Sequence, residues 1–140
     1  AKTFLACGLC VLWAGPHIGR EAAVLYAGAG ALFGHNFPFW KRGKGGKGVT
    51  VTCAWLLLYL GPWGLACCAL GGLAVLIWRY LPLGAVVIPT AAIPAALARK
   101  NGEGVFWMCA AALMMCFRHR NGLVRILRGE EEPVRFKIKH

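Results

Sequence analysis

Six apolar blocks fill most of this chain, at about residues 3–15, 22–38, 49–60, 64–78, 83–98 and 104–117, and no acidic residue falls inside any of them. Runs this continuous cannot alternate inward and outward as barrel strands do. A backbone in lipid must satisfy its own polar groups, so the blocks are expected to be helices. Hydrophobic residues make up 59% of the chain and mean hydropathy is +0.59. Soluble domains sit near about 45–50% apolar. The expectation is an all-α integral membrane protein with about six short transmembrane helices. It would form a single polytopic domain over 1–140, with a basic tail from about 118. Several blocks fall short of the roughly 20 residues of a full crossing, so thin spans are expected.

The breaks between blocks are well marked. Pro16–Glu21, Gly61-Pro62, Arg79–Gly84 and Arg99–Gly104 each interrupt an apolar run. Pro89 and Pro94 lie within a block and are expected to kink it. Trp13, Trp40, Trp63 and Trp78 fall near block ends, as an interfacial aromatic belt requires. The first block is followed by further spans and carries no small-residue cleavage site, so it is not read as a signal peptide. Because residue 1 is Ala, the chain is expected to be processed, trimmed or partial.

Charge is distributed unevenly. The net charge is +11, with four cations in Lys41–Lys47 and seven after Phe117. A cytoplasmic excess of Lys and Arg accounts for much of this. If Lys41–Lys47 is placed in the cytoplasm, parity brings the Arg79 turn and Arg118-His119-Arg120 to the same face. The Arg99–Gly104 loop falls on the other side, where its two cations run against the rule. Nucleic acid is not expected as a partner, because most of the chain is apolar block.

Topology alone does not explain the glycines among the first cations. Gly34-His35-Asn36-Phe37-Pro38 leads into Lys44-Gly45-Gly46-Lys47-Gly48, directly ahead of the third block. Glycines let backbone N–H groups crowd an anion, and lysines supply point charges. The start of the following helix adds the positive end of its dipole. The nucleotide P-loop pattern fails, because position 48 is Gly where Ser or Thr is needed and position 41 is Lys where Gly is needed. The composition fits equally a solvated loop that fixes topology.

What is missing narrows the chemistry. The chain contains no Asp, Ser or Gln. A Ser-His-Asp triad and a His-x4-Asp mechanism are therefore excluded within it. Proton transfer falls to His, Lys or the substrate. The seven cysteines are scattered through apolar blocks and read as packing residues. No metal or cofactor is expected. Two further candidate elements are Arg79-Tyr80 at one block end, and His119-Arg120 with Arg125, Arg128 and Glu131 at another.

These motifs together resemble the acyl-phosphate:glycerol-3-phosphate acyltransferases of the PlsY type. Gly34-His35-x-Phe37-Pro38 and Lys44-Gly45-Gly46-Lys47-Gly48-Val49 are similar to the family's glycine-rich second motif. Arg79-Tyr80-x-x-Leu83-Gly84 and His119-Arg120 with Arg125, Leu127, Gly129 and Glu131 follow in the family's order. The resemblance implies a multi-pass enzyme of the bacterial cell (inner) membrane, with about seven helices in the family and with motif loops and C-terminus cytoplasmic. It implies transfer of a fatty acyl group from acyl phosphate to the 1-hydroxyl of glycerol 3-phosphate, giving lysophosphatidate and phosphate. Acyl phosphate, glycerol 3-phosphate and membrane lipid are the implied partners; oligomeric state is left open. His119 and Lys47 are the expected catalytic residues. His35, Lys44, Gly45, Gly46, Lys47, Gly48, Arg79, Arg120 and Arg125 are the expected substrate- and phosphate-binding set.

The chain departs from the family in three places. The family's Ser/Gly/Asn-rich first motif has no counterpart, so the chain is expected to start after it. The Asn three residues beyond the motif His is replaced by Gly122, with Asn121 one position earlier. The Ser residues near the Arg-Tyr motif are replaced by Pro82 and Ala85. A small membrane transporter or binding protein for a phosphorylated anion is the alternative from another class, and a lipid-contacting scaffold is a third.

Overall fold

The computed structural model describes residues 2–38 and 46–134. Six α-helices follow one another: α1 Lys2–Ile18, α2 Arg20–Asn36, α3 Val49–Leu60, α4 Pro62–Trp78, α5 Leu81–Ala98 and α6 Gly102–Leu127. No strand occurs among the described residues. Each helix packs against the next in sequence, and α3 also meets α5 while α2 meets α6. The product is an all-helical membrane bundle.

Its surface shows what surrounds it. Trp13 is 89% exposed, Leu12 77% and Leu113 72%, and Leu76, Ile77 and Trp78 are exposed together. Large apolar side chains on the outside of a bundle belong against lipid tails. Leu81–Ala98 is the one described helix that is both long and apolar enough for a full crossing, while Thr3–Ile18, Val49–Leu60 and Pro62–Trp78 are apolar but shorter. At 1.5 Å per residue α3 is about 18 Å long, well short of a hydrocarbon core of about 30 Å.

The helix boundaries have local causes. The first break falls at Gly19 (φ 86°), and Pro16 sits inside α1 rather than ending it. Pro62 and Pro82 occupy first-turn positions, where a missing N–H costs nothing. Asn101 caps α6 by accepting from the Gly104 N–H at 3.1 Å. The basic segment from 118 is not a tail at first: α6 carries it ten residues beyond the apolar block, to Leu127. Arg128 then caps the helix and Gly129 turns left-handed (φ 70°). Glu130 N–H donates to Arg125 O at 2.8 Å and Gly129 N–H to Ile126 O at 3.1 Å. These two bonds are those of a Schellman cap.

Buried Trp55, Leu56 and Leu60 of α3 pack with Leu25 and Leu32 of α2 and with Met108 and Met115 of α6. Helices α4 and α5 approach backbone to backbone, because a Cβ at Gly84 would stand 2.7 Å from the Gly71 carbonyl oxygen.

The bundle has two chemically distinct ends. At one, Arg99 donates to the Tyr59 carbonyl at 3.2 Å and pairs with Glu21 at 3.5 Å, while Tyr26 donates to Glu103 at 3.0 Å. The Arg99 cation that opposed the positive-inside pattern thus satisfies an orphan carbonyl at the end of α3. At the other end stand Gly46 to Gly48, the Arg79 turn and the emergent part of α6. Val134 N–H donates to the Arg79 carbonyl at 2.7 Å, tying the chain after α6 to that turn.

Candidate active site

The loop between α2 and α3 is pinned at its neck. Gly46 N–H donates to the His35 carbonyl at 3.2 Å, and the His35 ring lies so close over Gly46 that a side chain there would collide with it. From the other side, Arg118 of α6 donates to the Gly46 carbonyl at 2.9 Å while its guanidinium sits 5.4 Å from the centre of the Phe37 ring. Gly48 caps α3 in the left-handed region (φ 76°). A Cβ there would stand 2.7 Å from Asn36 Oδ1, so only glycine meets both demands. Thr52 closes the cap, its hydroxyl donating to the Gly48 carbonyl at 3.0 Å. Asn36 is fully buried, donates to the Met114 sulfur at 2.8 Å and leaves its Oδ1 without a partner among the described residues.

These constraints deliver Lys47 to a junction. Lys47 and His119 line a polar cavity of about 240 Å³ together with Arg118, Asn121, Arg125 and Glu131. The same two residues line a second cavity of about 560 Å³, whose walls are apolar: Val49, Val75, Leu76, Gly84 and Ile88 among them. A charged pocket and a hydrocarbon-sized groove therefore meet at one ammonium and one imidazole.

The imidazole is well defined. His119 is 5% exposed, and its Nδ1 lies 3.0 Å from the Met115 carbonyl. A carbonyl only accepts, so Nδ1 carries the hydrogen and Nε2 presents a lone pair in the neutral ring. His119 stands beyond the apolar run of α6. Burial holds its pKa below the ordinary value, and repulsion from Lys47 and Arg118 acts the same way, against the opposing effect of the Met115 carbonyl bond. The neutral ring is therefore the form present at pH 7.

Arg125 reaches the polar cavity already partnered, its Nε 2.7 Å from Glu131 Oε2. Glu131 is carried there by the turn at Gly129. Gly122 packs on Pro82, and both line the same cavity.

Of the residues expected from the sequence, Lys47, His119 and Arg125 come together here. Gly46, Gly48 and His35 form the pinned neck beside them. Lys44 and Gly45 lie outside the described residues. Arg120 goes elsewhere: its guanidinium stands 4.3 Å from the centre of the Phe117 ring, it donates to the Phe117 carbonyl at 3.3 Å, and it lines neither cavity. The reason is helical phase, since two residues on from Arg118 points to the far side of α6. The Arg79 side chain is exposed and also lines neither cavity; its backbone, left-handed at φ 59°, makes the turn. The sequence does not single out Arg118 or Asn121 as site residues, and it offers Glu131 only as part of the element that follows His119. The continuation of α6 past 117 was the missing signal, because it fixes which of these side chains share a face. Among the described residues, no group of three His, Cys, Asp or Glu side chains gathers to hold a metal.

Comparison with known proteins gives a consistent result. The family model described as glycerol-3-phosphate acyltransferase matches residues 1–129. A glycerol-3-phosphate acyltransferase of Rhodospirillum rubrum is 40% identical over 124 residues, covering 86% of this chain and 57% of the relative. One from Paramagnetospirillum magneticum is 37% identical over 122 residues, covering 87% and 60%. The chain thus spans less than two thirds of the length of these relatives. Crystal structures of PlsY, an integral membrane glycerol 3-phosphate acyltransferase, in its glycerol 3-phosphate and lysophosphatidic acid forms superpose with TM-scores of 0.79 and 0.81. Each covers 95% of this chain and 69% of the other, at 21% identity, a likeness of fold. On the family model, which matches residues 1–129, the chain belongs to the glycerol-3-phosphate acyltransferase family.

Proposed function

We propose that this chain carries the acyl-transfer site of a bacterial inner-membrane enzyme that moves a fatty acyl group from acyl phosphate to the 1-hydroxyl of glycerol 3-phosphate. The observation that carries this reading is the shared lining of the two cavities: Lys47 and His119 belong to both the polar one and the apolar one. A reaction joining a phosphorylated polyol to a fatty chain needs such a junction. The polar cavity, with Arg118, Arg125 and Lys47, suits glycerol 3-phosphate, and the apolar groove suits the acyl chain.

The step balances without a covalent enzyme intermediate, because acyl phosphate is already an activated mixed anhydride. The substrate hydroxyl oxygen attacks the acyl carbonyl carbon and forms the ester C–O bond. The bond from that carbon to the phosphate oxygen breaks, and phosphate leaves with the electron pair. The hydroxyl proton passes to His119 Nε2, or to a phosphate oxygen of the substrate. Lys47 stabilises negative charge building on the carbonyl and phosphate oxygens. Its neighbours on the loop, Lys44 and the Gly45 backbone, join the phosphate binding, while the Gly46 N–H is already given to the His35 carbonyl and holds the neck. Arg79 and Arg120 enter this reading only as surface cations near the same end. The motif loops and C-terminus face the cytoplasm in this reading, following the charge asymmetry.

The test is an acyl-transfer assay in membranes or detergent, with glycerol 3-phosphate and either palmitoyl phosphate or palmitoyl-CoA. The Rhodospirillum relative serves as a control. Lysophosphatidate and equimolar phosphate from palmitoyl phosphate alone is the expected outcome. Product from palmitoyl-CoA would overturn the donor. Absence of product with the chain properly inserted and the control active would overturn the proposal for this chain.

A further inference from the structure

Three cavities meet at the end of the bundle away from Lys47. A polar one of about 290 Å³ is lined by Arg20, Glu21, Tyr59 and Arg99. A groove of about 300 Å³ between α1, α2 and α3 is apolar along Phe4, Gly8, Val11 and Leu12 and has Arg20 at its rim; it shares Val24 and Leu58 with the polar cavity. A groove of about 450 Å³ between α4 and α5 is apolar along Trp63, Leu70, Pro94 and Ala98 and has Arg99 at its rim. Each of the two arginines therefore lines both the polar cavity and one apolar groove.

We propose that this end of the bundle holds one anionic diacyl phospholipid, with its phosphate between Arg20 and Arg99 and one acyl chain in each groove. Charge selects the headgroup. Two guanidinium groups face one carboxylate in the polar cavity, leaving one net positive charge for a phosphodiester to neutralise. Arg20 makes no ion pair among the described residues. Arg99 donates one N–H to the Tyr59 carbonyl at 3.2 Å, and its ion pair with Glu21 is long, at 3.5 Å, and made with a carboxylate side chain that is 72% exposed. Such a loose surface pair is worth little and yields to a phosphate. A zwitterionic headgroup would bring its own cation against the two arginines. The grooves suit hydrocarbon, and their placement on either side of one polar cavity fits two chains sharing one headgroup. This site requires only the membrane bundle and is independent of the acyl-transfer proposal.

The test is thermal unfolding of the purified protein in detergent with added phosphatidylglycerol, phosphatidylcholine of the same chains, or inorganic phosphate. Phosphatidylglycerol should raise the midpoint by about 3 °C or more, as expected for a ligand that binds only the folded state. Phosphatidylcholine and phosphate should leave it nearly unmoved. Arg20→Gln should lose most of the shift, and Lys47→Ala should keep it. Native mass spectrometry should find one phosphatidylglycerol retained by the wild type and lost in Arg20→Gln. If Arg20→Gln is unstable, Ala98→Trp, which fills the α4–α5 groove without removing a charge, should lose the bound lipid as well. Equal shifts from both lipids, a full shift from phosphate alone, a full shift in Arg20→Gln, or loss of the shift in Lys47→Ala would each overturn the site.

Discussion

Gly122 and Pro82 fit together as a pair: a Cβ at position 122 would stand 2.6 Å from Pro82 Cγ and 3.2 Å from its Cβ. These are two of the positions where the chain departs from the motifs it otherwise resembles, and both line the polar cavity. Asn121 lines that cavity beside them. Gly122→Asn should therefore destabilise the protein by about 1–3 kcal/mol through overpacking. Adding Pro82→Ser should recover most of that loss. Thermal unfolding of the two single variants and the double variant in detergent measures the coupling, and purely additive effects would show that the contact is not limiting.

Gly48 carries two constraints at once, a left-handed backbone and contact with Asn36. Gly48→Ala should cost at least about 1–2 kcal/mol from the backbone alone. Because this residue delivers Lys47 to the junction, turnover should fall further than stability. Comparing the unfolding midpoint with the rate of lysophosphatidate formation separates the two effects.

His119 gives the site a pH signature. Its folded pKa lies below its ordinary value of about 6.5, so the unfolded chain takes up a proton first as pH falls. Stability is unaffected by this group above about pH 6.5 and is lost progressively as pH falls from there toward the folded pKa. The reaction rate should hold through neutrality and drop only below that lowered pKa, where the base is protonated. Since Lys47 is one source of the depression, Lys47→Ala should move the His119 titration upward. NMR titration of the imidazole in the two proteins checks this directly, and an unchanged pKa would count against their proximity.

Much of this was legible in the sequence, and the gaps have a common origin. All six apolar blocks form helices, and parity correctly gathers Lys47, the Arg79 turn and His119 at one end. The first break falls within Pro16–Glu21, where Gly19 with its positive φ of 86° turns the chain and Pro16 stays inside α1. The larger gap lies past residue 117. Hydropathy ends a helix where the apolar run ends, yet α6 continues through the basic segment because charged residues are good helix formers once out of the hydrocarbon. Without that continuation, the sequence offers no ground for choosing Arg118 over Arg120. Nor does the spacing of Arg125 and Glu131 reveal a pair until the Gly129 turn folds one back onto the other.

The central claim is that acyl transfer takes place where the polar and apolar cavities share Lys47 and His119. It is tested most directly by initial rates of lysophosphatidate formation for the wild type, Lys47→Ala and His119→Ala, each verified as membrane-inserted. The predicted result is product from the wild type and a loss of at least about 100-fold in each variant. Wild-type rates in both variants would contradict the account.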